Sequence, residues 1–82
     1  MASYLIEAYT PVTQSVPEIA ERARNAAVEL TGAGVPVTYD RSIFVPEDEL
    51  CLHLMDGPSR EAIGEAARRA GISPVRIVET AG

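Results

Sequence analysis

Apolar and polar residues alternate from the start of the chain. Between Ser3 and Tyr9, the set Tyr4, Ile6 and Ala8 alternates with Leu5, Glu7 and Tyr9, the period-two pattern of a half-buried strand. Thr10-Pro11 breaks it, and from Ser15 the period changes. Ser15-Val16-Pro17-Glu18 has the form of a capping box, in which the serine oxygen takes a free backbone N–H and the glutamate reaches back. Val16, Ile19, Ala20, Ala23, Ala27 and Leu30 then recur at helical spacing as one apolar stripe. That stripe is rich in alanine, so the helix is expected to lie close on whatever it covers. Gly32 and Gly34 end it. Val37 to Val45 and Leu50 to Met55 read as second and third strands around the polar connection Pro46-Glu47-Asp48-Glu49. Asp56-Gly57-Pro58 turns the chain, and Ser59 caps a second helix with Glu61 in its first turn. Ala62, Ile63, Ala66, Ala67 and Ala70 line one side of that helix, Gly71 closes it, and Pro74 to Thr80 is a short last strand.

The order β-α-β-β-α-β predicts an α+β fold of ferredoxin-like type. The expected sandwich has a four-stranded antiparallel sheet with both helices on one face. Its first and third strands are expected as central neighbours, and this one pair is taken as parallel. In the third strand Leu50, Leu52 and Leu54 are expected to face the helices, which sends Cys51, His53 and Met55 to the uncovered face. Leu5, Tyr9, Met55 and Val78 would then form an exposed apolar patch. The simplest cover for such a patch is a second copy of the chain, so a homodimer is expected.

Length changes this picture only by reinforcing it. Eighty-two residues make one small domain, spanning 1–82, with a thin core that a partner subunit would supplement. No apolar run approaches the roughly 20 residues needed to cross a bilayer, and Met1-Ala2-Ser3-Tyr4 lacks the features of a signal peptide. A cytoplasmic location is therefore the expectation. The single cysteine, Cys51, excludes an intramolecular disulfide. The net charge of −5, with seven arginines dispersed along the chain and no lysine, argues against nucleic acid and suits a cation better.

Candidate chemistry centres on His53, the one histidine. With Cys51 and His53 on the uncovered face and Glu7 projecting from the same face of the first strand, an imidazole, a thiol and a carboxylate could meet. That donor set suits a divalent transition metal, imidazole serving nickel, copper and zinc alike. The spacing Cys-x-His is not diagnostic of a metal site. The competing reading makes His53 an interface residue bonded to Glu7 or a carbonyl, and Cys51 an ordinary buried thiol. Asp40 reads as a solvated edge-strand acid that would join the site only through a bulge. Arg41 is expected to face His53 across the hairpin. Gly32-Ala33-Gly34 follows a helix and precedes a strand, the reverse of a dinucleotide fingerprint. Cys51 and His53 are too far apart along one strand for easy nucleophile–base contact. The residues favour a binding module over an enzyme.

The motifs Tyr4-Leu5-Ile6-Glu7, Gly34-Val35, Arg41-Ser42, Asp56-Gly57-Pro58-Ser59, Glu61-Ala62-Ile63 and Ala66-Ala67-Arg68-Arg69-Ala70-Gly71 span nearly the whole chain. Through them it resembles a family of small bacterial proteins, catalogued as a domain of unknown function, that includes a nickel-binding protein with a dimeric ferredoxin-like fold. The resemblance implies nickel as the bound ion and a homodimer that sequesters or buffers it. Glu7 matches the family pattern. Many relatives carry a histidine where Arg41 stands and a cysteine where His53 stands, so the ligands implied here, Glu7, Cys51 and His53, are shifted from theirs. The alternative is a small-molecule binder or enzyme of dimeric α+β barrel type, monooxygenase- or isomerase-like by analogy of fold. Its mark would be a closed apolar cavity lined by Tyr9, Met55 and His53.

Overall fold

A computed structural model describes residues 1–80, so the last two positions of the 1–82 span lie outside the described residues. The elements are β1 (Ala2–Tyr9), α1 (Val16–Gly32), β2 (Thr38–Val45), β3 (Leu50–Gly57), α2 (Arg60–Ala70) and β4 (Pro74–Glu79), with a 3₁₀ turn at Pro46–Asp48. The strands form one sheet in the order β2-β3-β1-β4. Every neighbouring pair is antiparallel, β1 with β3 included. This corrects the parallel pairing expected for the two central strands. Helix α1 carries the chain back across the sheet so that β2 runs with β1, and the β2–β3 hairpin then reverses it.

The helices begin and end where the polar residues allow. Ser15 Oγ accepts the Glu18 N–H at 3.4 Å, and Ser59 Oγ accepts the Ala62 N–H at 3.2 Å, each satisfying a helix-start donor. Gly71 closes α2 at φ +73°, a left-handed conformation that a side chain would strain. Past α1, Thr31 Oγ1 donates to the Val37 carbonyl at 2.9 Å and accepts the Val37 N–H at 3.2 Å, latching the loop into β2.

Alanines set the spacing between layers. Ala23, Ala26 and Ala27 of α1 and Ala62, Ala66, Ala67 and Ala70 of α2 are buried against Ile6, Ile63, Val37 and Met55. The approach is closest at Gly57, where an added Cβ would lie 2.9 Å from Ile63 Cδ1. The sheet face under the helices holds Tyr4, Ile6 and Ala8 of β1.

Pairing carries that face across to β3. Tyr4 stands opposite Met55, Ile6 opposite His53 and Ala8 opposite Cys51. Directly opposed residues share a face, so Met55, His53 and Cys51 lie beneath the helices, all essentially without exposure. The expected assignment is inverted. Leu50, Leu52 and Leu54 occupy the uncovered face, and Met55 is no part of the apolar patch there. With Leu5, Ile43, Val45 and Val78, which the register puts on the same side, the leucines make that face more apolar than the sequence suggested.

In β2 the register shifts between Tyr39 and Arg41, leaving Asp40 as the extra residue of a bulge. Tyr39 therefore faces the helices opposite Met55, while Arg41 faces outward opposite Leu54. The partner of His53 is Ser42 rather than the expected Arg41. Asp40 is exposed, as an edge-strand acid should be.

Candidate functional site

The structure does not bring Glu7, Cys51 and His53 together. Glu7 projects from the uncovered face opposite Leu52, and its carboxylate is paired with the Arg76 guanidinium of β4. Cys51 and His53 lie on the other face, under the helices. A sheet one backbone thick separates the carboxylate from the other two. The reason is the parity argument already given: once Ile6 and Ala8 turn inward, antiparallel pairing turns His53 and Cys51 inward with them. Among the described residues no group of three or more His, Cys, Asp or Glu side chains is gathered in a way that could hold a metal ion. Burial also pushes the Cys51 thiol up from its ordinary value, which favours the protonated form over the thiolate a metal needs.

What surrounds His53 is a line of hydroxyls. Its Nδ1 lies 2.6 Å from Ser42 Oγ, and Ser42 Oγ lies 2.7 Å from the Tyr39 hydroxyl. The Arg24 guanidinium sits 5.2 Å above the Tyr39 ring, a cation–π contact that closes the outer end of the line. The other ring nitrogen, Nε2, is buried and has no hydrogen-bond partner. Burial lowers the imidazole below its ordinary value, so the ring is neutral at neutral pH.

His53 is also among the residues around a cavity of about 140 Å³ between the start of α1, the end of β1 and the α2–β4 loop. Thr10, Gln14, Arg22, Ile72 and Ser73 are among its other walls. Tyr9 and His53 thus line a cavity together, as the small-molecule alternative required. Met55 does not, the walls are largely polar, and the space lies on the helical side of the sheet rather than between two sheets.

Sequence reasoning missed Ser42, Tyr39 and Arg22. A signal existed for the first: Phe44 is a core-side residue of β2, and a serine two positions earlier on that side needs a polar partner from β3. The one-residue offset of the hairpin hid it. No comparable signal marked Arg22, which takes its place at the cavity through a 2.9 Å hydrogen bond from Nε to the Ala70 carbonyl, 48 residues away.

An antiparallel sheet in the order β2-β3-β1-β4 with two helices on one face defines a ferredoxin-like α+β protein. Residues 4–80 match the family described as nickel responsive protein SCO4226-like, and the chain belongs to that family. The fold is similar to the crystal structure of SCO4226 from Streptomyces coelicolor A3(2), with a TM-score of 0.74 and 20% identity over 96% of this chain and 95% of that one. At that identity the likeness speaks to the fold. A search of the curated proteins returns no match. No helix among the described residues is long and apolar enough to cross a membrane.

Proposed function

We propose that the chain is a homodimeric nickel-handling protein, sequestering or buffering the ion, whose two copies meet through the uncovered sheet face. The observation that supports this is the leucine strip. Leu50, Leu52 and Leu54 on β3, with Leu5 beside them and Ile43 41% exposed on β2, leave a contiguous apolar surface with nothing over it. Surfaces of this kind on small proteins serve as interaction sites. A two-fold axis lets one patch cover its own copy. The family's description as nickel responsive supports nickel as the ion.

Cys51 and His53 do not act with Glu7 in this proposal, since it lies across the sheet from them. In this reading Glu7, on a central strand of the apolar face, is the donor that each copy carries to the interface, and it takes part by exchanging Arg76 for the ion. Light scattering on tag-free protein, with and without nickel, should return twice the chain mass for the natural sequence and a single chain for Leu52→Arg. Calorimetric titration should show nickel binding that Glu7→Gln weakens and Leu52→Arg removes. A single-chain mass for the natural protein would overturn the dimer. Undiminished nickel binding by Leu52→Arg would return the site to one chain.

A further inference from the structure

Imidazole and thiolate are the side-chain donors that favour transition metals over harder cations. This chain has one histidine and one cysteine against twelve carboxylates. Both of the former stand on β3 with inward parity, and neither has any exposure. His53 Nδ1 is hydrogen-bonded to Ser42 Oγ at 2.6 Å, and Nε2 is sealed from solvent. Cys51 lies opposite Ala8 on the same side, where burial holds its thiol toward the protonated form. An ion could reach either one only by parting the helices from the sheet.

The carboxylates are placed the other way. Glu7 projects from the uncovered face, and Asp40, Glu47 and Asp48 stand exposed at the bulge and the hairpin turn. We infer that this chain offers a metal ion oxygen donors only, so that nickel is held weakly and in fast exchange, with manganese and other hard divalent cations competing for the same place. The inference rests on the nickel reading above and gives it a chemical class: buffering through carboxylates in place of sequestration through imidazole or thiolate.

The consequences for selectivity follow from the donor. Carboxylate, carbonyl and water suit magnesium, calcium and manganese, whereas imidazole suits nickel. With nitrogen and sulfur removed, most of what separates nickel from manganese is lost, leaving a preference of about tenfold or less. Glu7 must also give up Arg76, whose Nε and Nη2 both donate to its carboxylate. That exchange lowers the affinity for every cation alike. The net charge of −5 draws cations to the chain without choosing among them.

The test uses tag-free natural protein freed of metal. Nickel should raise no thiolate-to-nickel charge-transfer band in the near ultraviolet. In calorimetric competition, manganese at about a hundred times the nickel dissociation constant should weaken apparent nickel binding about tenfold, whereas a site with nitrogen or sulfur donors would hardly respond. Cys51→Ala and His53→Gln should bind nickel as the natural chain does, while Glu7→Gln weakens it. The first two readings need no variant, so the inference is tested even where His53→Gln fails to fold.

A charge-transfer band, nickel indifferent to manganese, or binding lost with either β3 variant overturns the inference and leaves the nickel reading standing. Nickel that manganese displaces but Glu7→Gln leaves untouched supports the inference and overturns Glu7 as the donor. A chain that binds no nickel overturns both.

Discussion

The two faces of this sheet are both apolar, yet they are built in opposite ways. Under the helices, β1 and β3 present Tyr4, Ile6 and Ala8 beside Met55, His53 and Cys51, a mixed set that includes a titratable ring, a thiol and a hydroxyl line. On the uncovered side the same two strands present Leu5 and Glu7 beside Leu54, Leu52 and Leu50. Greasier residues sit outside and more polar ones inside. The inner face works because alanine-rich helices come close and, among the described residues, His53 Nε2 is the one fully buried side-chain nitrogen or oxygen without a partner. The outer face presents apolar surface to water, the kind of surface that a partner would bury. Hydrophobicity alone cannot decide which face of a strand is core when both are apolar; pairing to a neighbour of known parity does.

The sharpest way to test that contrast is with adjacent residues of β1. Ile6 is fully buried under the helices, and Leu5 lies on the other face. Ile6→Ala should cost about 2–5 kcal/mol of unfolding free energy, the range for truncating a buried aliphatic side chain. Leu5→Ala should cost about 1 kcal/mol in dilute solution, where no second copy covers it. Its effect should grow with protein concentration if copies associate, because association stabilises only the folded form. Denaturant titration at two protein concentrations separates these cases. Equal costs at every concentration would erase the distinction between the faces.

That same contrast explains what was legible in the sequence. Element order, both serine caps, the Gly71 stop and the inward parity of Ile6 and Ala8 were readable because each is a local rule: a period, a capping oxygen, a residue tolerant of positive φ. The face of β3 was not local. Leu-Cys-Leu-His-Leu-Met permits either parity, and choosing the leucines as core put His53 beside Glu7. Two clues pointed the other way. Gly57 shares its parity with Met55, His53 and Cys51, and a glycine there fits a strand pressed against a helix. The antiparallel sense of β1 and β3 also follows from the element order. The Asp40 bulge, which sets Tyr39 and Arg41 on opposite faces, leaves no mark in the sequence pattern.

A second test acts within the inner face. Ser42 is the partner of His53 Nδ1. Ser42→Ala leaves that nitrogen without a hydrogen bond in a buried place, at a cost of about 1–3 kcal/mol. Removing both polar groups should be milder than the sum. Ser42→Ala combined with His53→Leu leaves neither member of that pair orphaned, and the loss of the Tyr39 partner is common to both Ser42→Ala backgrounds, so the double-mutant cycle should return a favourable coupling of about 1 kcal/mol or more. Additive costs would mean that the hydroxyl and the ring do not depend on each other.

The smallest effect, and the one that belongs to the inner face alone, is the pH dependence of stability. Burial holds His53 below its ordinary value, so the unfolded chain takes up a proton before the folded one does. Stability is then flat above about pH 7 and falls as pH drops through the unfolded imidazole value near 6.5, with a slope of at most about 1.4 kcal/mol per pH unit from this ring. Burial holds Cys51 above its ordinary value, with the opposite sign: the unfolded thiol ionises first, and stability falls as pH rises through about 8.5. Two residues on one buried strand therefore bound a stability plateau from both sides. Denaturant midpoints from pH 5 to 9.5 should show His53→Gln losing the acid slope in that window and Cys51→Ala losing the alkaline one. A slope that survives in both variants would mean that it does not come from the imidazole and thiol of the buried strand, and would count against the parity deduced from Ile6 and Ala8.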